Sequence, residues 1–214
     1  MKILGIYDDH NASIAFSENG KIIFAISEER LTGIKNFQGF PKKSIDYLFS
    51  HFGISPHDLD IVSFCSKERD IDASMYQRDL LFRVKEHKNY MNEFWGKKLD
   101  GNKYDKDYVK KKLQRKTNSY YYKFYKKNIK KYKKIDINNL IKDIFLLDYN
   151  IPNKKIKFYD HHFCHVLHSY YSNPKLDLKK TYIGLTIDAY GDNKNQTVWK
   201  IKNKNFKLLA HSNE

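Results

Sequence analysis

Cysteine is nearly absent from this sequence: Cys65 and Cys164 are the two in 214 residues, and they stand far apart in the chain. That excludes a disulfide framework and a cysteine-rich zinc ribbon, and it points to a reducing compartment, the cytoplasm. Long apolar runs are missing too. None approaches the roughly 18 residues that a membrane-spanning helix requires. The opening MKILGIYDDH turns polar after about five positions, too short for the core of a signal peptide. No membrane partner is expected, and no internal repeat is visible.

What is present suits a folded protein. Hydrophobic residues make up 41% and aromatics 15%, enough to build a core and too much for a disordered chain. The net charge of +15 resembles a nucleic-acid signal until it is mapped. Residues 97–135 hold 16 Lys and Arg against three acids, a surplus of +13, which leaves +2 for all the rest. Lysines and tyrosines interleave in that segment. It reads either as a polyanion surface, with charge for phosphates and rings for stacking, or as a solvated helical insertion whose lysines face water. The insertion is the expectation, and specific nucleic-acid recognition is not expected.

Outside this segment the organisation is that of an α/β protein. KILGIYD, ASIAF and KIIFAIS read as strands, the last two joined through Asn19-Gly20, a two-residue hairpin signal, so the start is a meander. Pro41 opens a helix that carries Ile45, Leu48, Phe49 and Phe52 on one face and stops at Gly53. DLDIVSFCS is a further strand, and residues 71–147 read mainly as helix. KIKFYDH returns to a strand, residues 162–171 suit a helix, and YIGLTID, QTVWKI and FKLLAH close the chain as strands. Residues 1–65 and 150–214 are expected to pack as one mixed sheet, with residues 72–147 as a helical insertion at its edge.

The run YDHHFCHVLHSYY, residues 159–171, places four histidines together. On a helix, His161 and His165 project from one face and are able to chelate one ion. His168 lies a further turn along that face, while His162 points roughly 100° away. Asp188 stands at the end of the strand YIGLTID. Two imidazoles and a carboxylate are a ligand set for Fe(II), and they suit Zn or Mn as well. The other reading of the same histidines is the polar face of an amphipathic helix.

Three stretches, in order, resemble the O-carbamoyltransferases of nodulation-factor and antibiotic biosynthesis. They are ILGIYDDHNASIAFSENGKIIFAISEERLTGIKNFQGFPKKSI, HHFCHVLHSYYSNP and LTIDAYGD. The likeness covers about residues 1–65 and 150–214. It implies the first lobe of an actin-like (sugar-kinase/Hsp70-type) transferase domain, with residues 1–214 as one partial domain and the basic insertion at about 72–147. It implies carbamoyl transfer from carbamoyl-adenylate to a hydroxyl of a small molecule or glycan. The adenylate would be made from ATP and carbamoyl phosphate by a domain outside this chain, or by a second chain that also supplies the other lobe.

Carried over by position, the resemblance places His161, His165 and Asp188 on the metal ligands, with Fe(II) the first expectation. It places Asp8 and His10 in the transfer site and Lys35 opposite the carbamoyl-adenylate, as a catalytic and binding residue. Arg30 falls with Lys35 among the nucleotide-binding residues. The chain departs from the family pattern at Asn11, where an Asp is usual, at Gly33, where a basic residue is usual, and at Ala189, where a Gly is usual. The competing reading is a non-catalytic remnant or polyanion-binding module that uses residues 97–135.

Overall fold

The structure, a computed structural model, describes residues 1–69, 71–76, 84–113, 119–132 and 134–213. Three antiparallel strands open the chain: β1 (Lys2–Tyr7), β2 (Ser13–Glu18) and β3 (Lys21–Ser27). Alternation sets their inward face. Leu4 pairs with Phe16 and Ile6 with Ile14, and all four are buried. The hairpin between β2 and β3 turns at Asn19 (φ 50°) and Gly20 (φ 81°), the two positive angles that a tight right-twisted hairpin needs.

A single turn, α1 (Glu29–Thr32), precedes α2 (Lys42–Phe52), which ends at Gly53 with φ 62°. Ile45 and Leu48 of α2 are buried, while Phe52 remains 40% exposed. The N-terminus of α2 is capped from a distance. The Glu28 carboxylate accepts hydrogen bonds from the Lys43 and Ser44 N–H groups (2.9 and 2.7 Å) and from the Ser44 hydroxyl (2.6 Å). These are backbone donors that a helix start leaves without an intrahelical acceptor.

Strand β4 (Ile61–Cys65) follows. The described part of the insertion is helical: α3 (Ile71–Tyr76), α4 (Val84–Tyr90), a π-helical turn (Met91–Gly96), α5 (Lys97–Leu99), α6 (Tyr108–Leu113) and α7 (Tyr120–Lys127). Within the expected basic segment 97–135, residues 114–118 and 133 lie outside the described residues, as do 77–83 of the wider insertion. Some of its rings turn inward. Tyr121 is fully buried and Phe40 packs against Tyr120, Tyr121 and Phe145. Tyr90 stacks on both Phe94 and Tyr108.

Helix α8 (Ile137–Tyr149) is capped by Asp136, whose carboxylate accepts from the Asn139 N–H, and it buries Ile137, Leu140, Ile141, Ile144 and Phe145. That spacing is one continuous helical face. Asn150 (φ 55°) turns the chain out of the helix into β5 (Ile156–Tyr159) and α9 (His161–Tyr171).

The last three strands are β6 (Thr181–Gly191), β7 (Lys194–Lys202) and β8 (Asn205–Ser212). They do not join the first sheet, which corrects the expectation of one sheet. The first sheet has the order β3-β2-β1-β4-β5, and β6-β7-β8 form a second, antiparallel sheet of their own. Consecutive hairpins satisfy the hydrogen bonding of β7 on both sides, and β6 packs on α9, where Gly184 lies against Val166. The chain divides into two compact units, residues 1–63 with 70–156 and residues 64–69 with 157–214. Each unit contains an antiparallel meander of three strands, a repetition of topology with no counterpart in the residue pattern.

Candidate functional site

In the second unit, Asp160 caps α9 by accepting from the Phe163 N–H at 2.9 Å, and its carboxylate pairs with the Lys194 ammonium at 2.6 Å. The helix buries His162, Val166 and Tyr170 at four-residue spacing. His161 and His165 therefore leave from a neighbouring face, one turn apart. Asp188 projects from β6 toward them.

The three side chains converge. His161 Nε2 lies 2.8 Å from Asp188 Oδ2 and 3.0 Å from His165 Nε2, and His165 Nε2 lies 3.4 Å from the same Oδ2. Donors about 2.1 Å from a common ion stand about 3.0 Å apart on one octahedral face and about 3.4 Å apart in a tetrahedron. The observed edges of 2.8, 3.0 and 3.4 Å are of that size without matching either geometry, and these three residues form a group able to hold a metal ion. Their chemistry fits as well, because two imidazole nitrogens and a carboxylate oxygen bring more lone pairs than protons to one point. Burial, with the neighbouring His161 ring adding to it, holds the His165 imidazole below its usual value, which keeps its ligating form. The His161 side chain is 11% exposed against 53% for His165, so the site opens to one side.

The other two histidines have different work. His162 is fully buried, with Nδ1 2.7 Å from the Thr186 hydroxyl and Nε2 3.0 Å from the Lys194 carbonyl. A carbonyl only accepts, so Nε2 carries a proton. The chain continues from Thr186 to the Thr197 hydroxyl (2.5 Å), which accepts from Trp199 Nε1 at 2.7 Å. His168 is exposed near the end of α9, where its carbonyl accepts the Ser172 N–H.

Asp192, in the turn after β6, is buried and accepts from Ser66, Lys67, Glu68 and His161. Burial alone would raise its carboxyl. The hydrogen bonds from Glu68, Ser66, His161 and Lys67 outweigh that and hold it below its usual range. The two cysteines meet in this unit: both are free thiols, and the hydrogen bond to Cys65, followed by burial, pushes the Cys164 thiol far up.

In the first unit the residues carried over by resemblance separate by burial. Asp8 is buried and accepts the Tyr121 hydroxyl at 2.5 Å. His10 is exposed, its Nδ1 3.2 Å from the Tyr7 hydroxyl and its N–H donated to Asp9. Arg30 on α1 and Lys35 on the following loop are both exposed. That loop is closed by the Asn36 N–H on the Glu29 carboxylate (3.0 Å) and by Gly33 at φ 71°. The left-handed angle is the physical reason a glycine suits position 33.

Several residues here escape a reading of the sequence alone. Tyr121 is hidden in a lysine-rich run, and nothing local ties it to Asp8. Gly191 and Asp192 stand in the quoted TIDAYGD, yet only their contacts distinguish them from turn residues. Asp160 carried a readable signal, an Asp immediately before a helical run.

Comparison with known proteins agrees with the motifs. A family model described as Carbamoyltransferase N-terminus matches residues 2–213. The uncharacterized protein MJ1058 of Methanocaldococcus jannaschii is 27% identical over 234 aligned positions, covering 99% of this chain and 35% of that protein. A second uncharacterized protein of that organism, MJ1051, is 36% identical over 91 residues, 42% of this chain and 16% of its own length. Nodulation protein NolNO of Sinorhizobium fredii is 29% identical over 66 residues, 31% of this chain and 10% of that protein. The chain thus spans about a third or less of these relatives. It belongs to the carbamoyltransferase N-terminus family.

Proposed function

We propose that the chain is the N-terminal part of an O-carbamoyltransferase that moves a carbamoyl group from carbamoyl-adenylate to a hydroxyl of a small molecule or glycan. The observation that carries this reading is the convergence of His161, His165 and Asp188 in a chain matched by the family over residues 2–213. In the transfer, the hydroxyl oxygen bonds to the carbamoyl carbon, the bond from that carbon to the phosphate oxygen breaks, AMP leaves, and the hydroxyl proton passes to a base. A divalent ion, Fe(II) first and Zn or Mn by the same donor set, would neutralise phosphate charge there.

This chain's own residues supply the remainder. In this reading His10, exposed in the turn after β1, takes the hydroxyl proton, and Asp8, hydrogen-bonded to Tyr121, holds the adjoining end of β1 in the interior. Lys35 and Arg30 are free to reach the adenylate phosphate and the carbamoyl oxygen. Carbamoyl-adenylate itself comes from ATP and carbamoyl phosphate on a domain outside these residues or on a second chain. An actin-like arrangement is the matching fold, supported by the repeated three-stranded meander, and the cytoplasm is the matching compartment. Among the described residues no helix is long and apolar enough to cross a membrane.

The polyanion-binding alternative keeps its lysines and part of its rings, since Tyr104, Tyr122, Tyr125 and Tyr132 are half-buried. Tyr108 and Tyr121 are buried, so these rings are not stacking platforms, while Lys123, Lys126 and Lys130 remain exposed for salt-sensitive, non-specific contact.

The test is bound metal, by mass spectrometry after anaerobic loading, on the wild-type chain and on His165→Ala and Asp188→Asn. One equivalent in the wild type and loss in both variants is expected. Carbamoyl transfer, assayed with synthetic carbamoyl-adenylate and the remaining portion of the enzyme added, should fall at least a hundredfold in the same variants. Equal metal in all three proteins would refute the reading.

A further inference from the structure

His161 is held by more than the contacts of its ring with Asp188 and His165. Its imidazole lies against Gly191: a Cβ built on that residue would fall 2.3 Å from Cδ2 and 2.7 Å from Cγ of the ring. No side chain fits there while the ring keeps its place, since such carbons approach no closer than about 3.5 Å at their optimum. Gly191 is absent from the positive-φ glycines, so the requirement at this position is space and not backbone freedom.

The next residue grips the other end of His161. Asp192 Oδ2 accepts the His161 backbone N–H at 2.6 Å, in the first turn of α9. The same carboxylate accepts from Ser66 Oγ (2.8 Å), Lys67 N (2.9 Å) and Glu68 N (2.7 Å), all in the loop after β4. Asp192 sits at φ 50° and is 4% exposed, so its side chain is a fixed internal acceptor. One dipeptide at the end of β6, the strand that carries Asp188, thus sets both the backbone and the ring of His161.

We infer that Gly191 and Asp192 are positioning residues for His161: Gly191 clears the space its ring occupies and Asp192 anchors its backbone. Together they aim Nε2 at the point shared with His165 and Asp188. The inference rests on the metal reading above. Loss of a group that orients a metal-ligating histidine costs 10- to 100-fold in affinity as a rule. Neither residue is itself a ligand: Gly191 has no side chain, and the Asp192 carboxylate is taken up by four donors.

Co(II) is the probe, because its visible ligand-field bands report the geometry of the ligands as well as their number. The proteins are the wild type, Gly191→Ala, Asp192→Asn, Ser66→Ala and His165→Ala, each titrated with Co(II) and melted without metal. The wild type is expected to bind with defined bands, which His165→Ala loses. In Gly191→Ala the affinity should fall at least tenfold with altered bands, while the metal-free melting temperature stays close to wild type because the ring is free to rotate away. Asp192→Asn should lose affinity to a similar extent, and Ser66→Ala, which removes a donor not attached to His161, should stay within about twofold.

If the wild type bound no more Co(II) than His165→Ala, the metal reading would fail and this inference with it. If the wild type bound but Gly191→Ala and Asp192→Asn gave the same affinity and bands, the positioning roles alone would be refuted. Affinity falling only in proportion to unfolded protein would likewise assign both residues to plain stability. Should Asp192→Asn fail to fold, Gly191→Ala decides.

Discussion

Asp8 and Tyr121 are 113 residues apart in sequence and share one hydrogen bond in the interior. A buried carboxylate is costly unless its oxygens are satisfied, and this tyrosine comes from the segment whose lysines dominate the charge. The basic insertion therefore reaches the strand end that carries His10, a role that neither its charge nor its composition announces. Tyr121→Phe keeps the ring in its packed position and removes only the donor. Leaving the carboxylate short of a partner should cost about 1–3 kcal/mol, read as a lower denaturant midpoint at unchanged slope. A midpoint equal to wild type would mean that the carboxylate's other contacts suffice. His162 teaches the same lesson at closer range. It adjoins His161 in sequence, yet its ring ends a buried chain of hydroxyls while its neighbour's ring faces Asp188 and His165.

At the scale of elements, periodicity and turn chemistry were enough to read most of what is local. The β1–β3 meander is legible from alternation and from Asn19-Gly20. Helix α2 is legible from Pro41, its apolar spacing and Gly53, and the HxxxH pair from the helical turn. The sheet to which β6–β8 belong is not legible, because alternation within a strand sets its faces and not its neighbours. Glu28 is a second case. From sequence it is one acid of a Glu-Glu-Arg run at a strand end, whereas in the fold it crosses to cap α2 and is buried. Replacing it with Ala would free two backbone N–H groups and the Ser44 hydroxyl in the interior. The expected loss is about 2 kcal/mol, the upper range for a cap because the acceptor is charged and buried. Chemical denaturation checks it, and a change under about 0.5 kcal/mol would show that water replaces the carboxylate.

For the molecule as a whole, the charge of +15 decides little, since it resides in one segment, whereas three groups in the second unit would tie folding to a ligand under the proposed metal reading. An ion that binds only the folded chain stabilises it by about 2.7 kcal/mol at a hundredfold excess over its dissociation constant. For a chain of this size that corresponds to about 5–10 °C in melting temperature. The sign of the pH effect follows from His165, whose folded imidazole lies below the usual value. Above about pH 6.5 both folded and unfolded imidazoles are neutral and nothing opposes ligation. As the pH falls below that value, protons bind the unfolded chain preferentially and compete with the ion for the folded one, so stability and metal affinity decline together. Melting curves with Mn(II), and with Fe(II) under anaerobic reduction, should rise at pH 8, return to baseline with chelator, and show little increment at pH 5.5. Asp188→Asn should show no increment at either pH. An equal increment in that variant would place the bound ion elsewhere on the surface and remove the thermodynamic case for the His161, His165 and Asp188 centre.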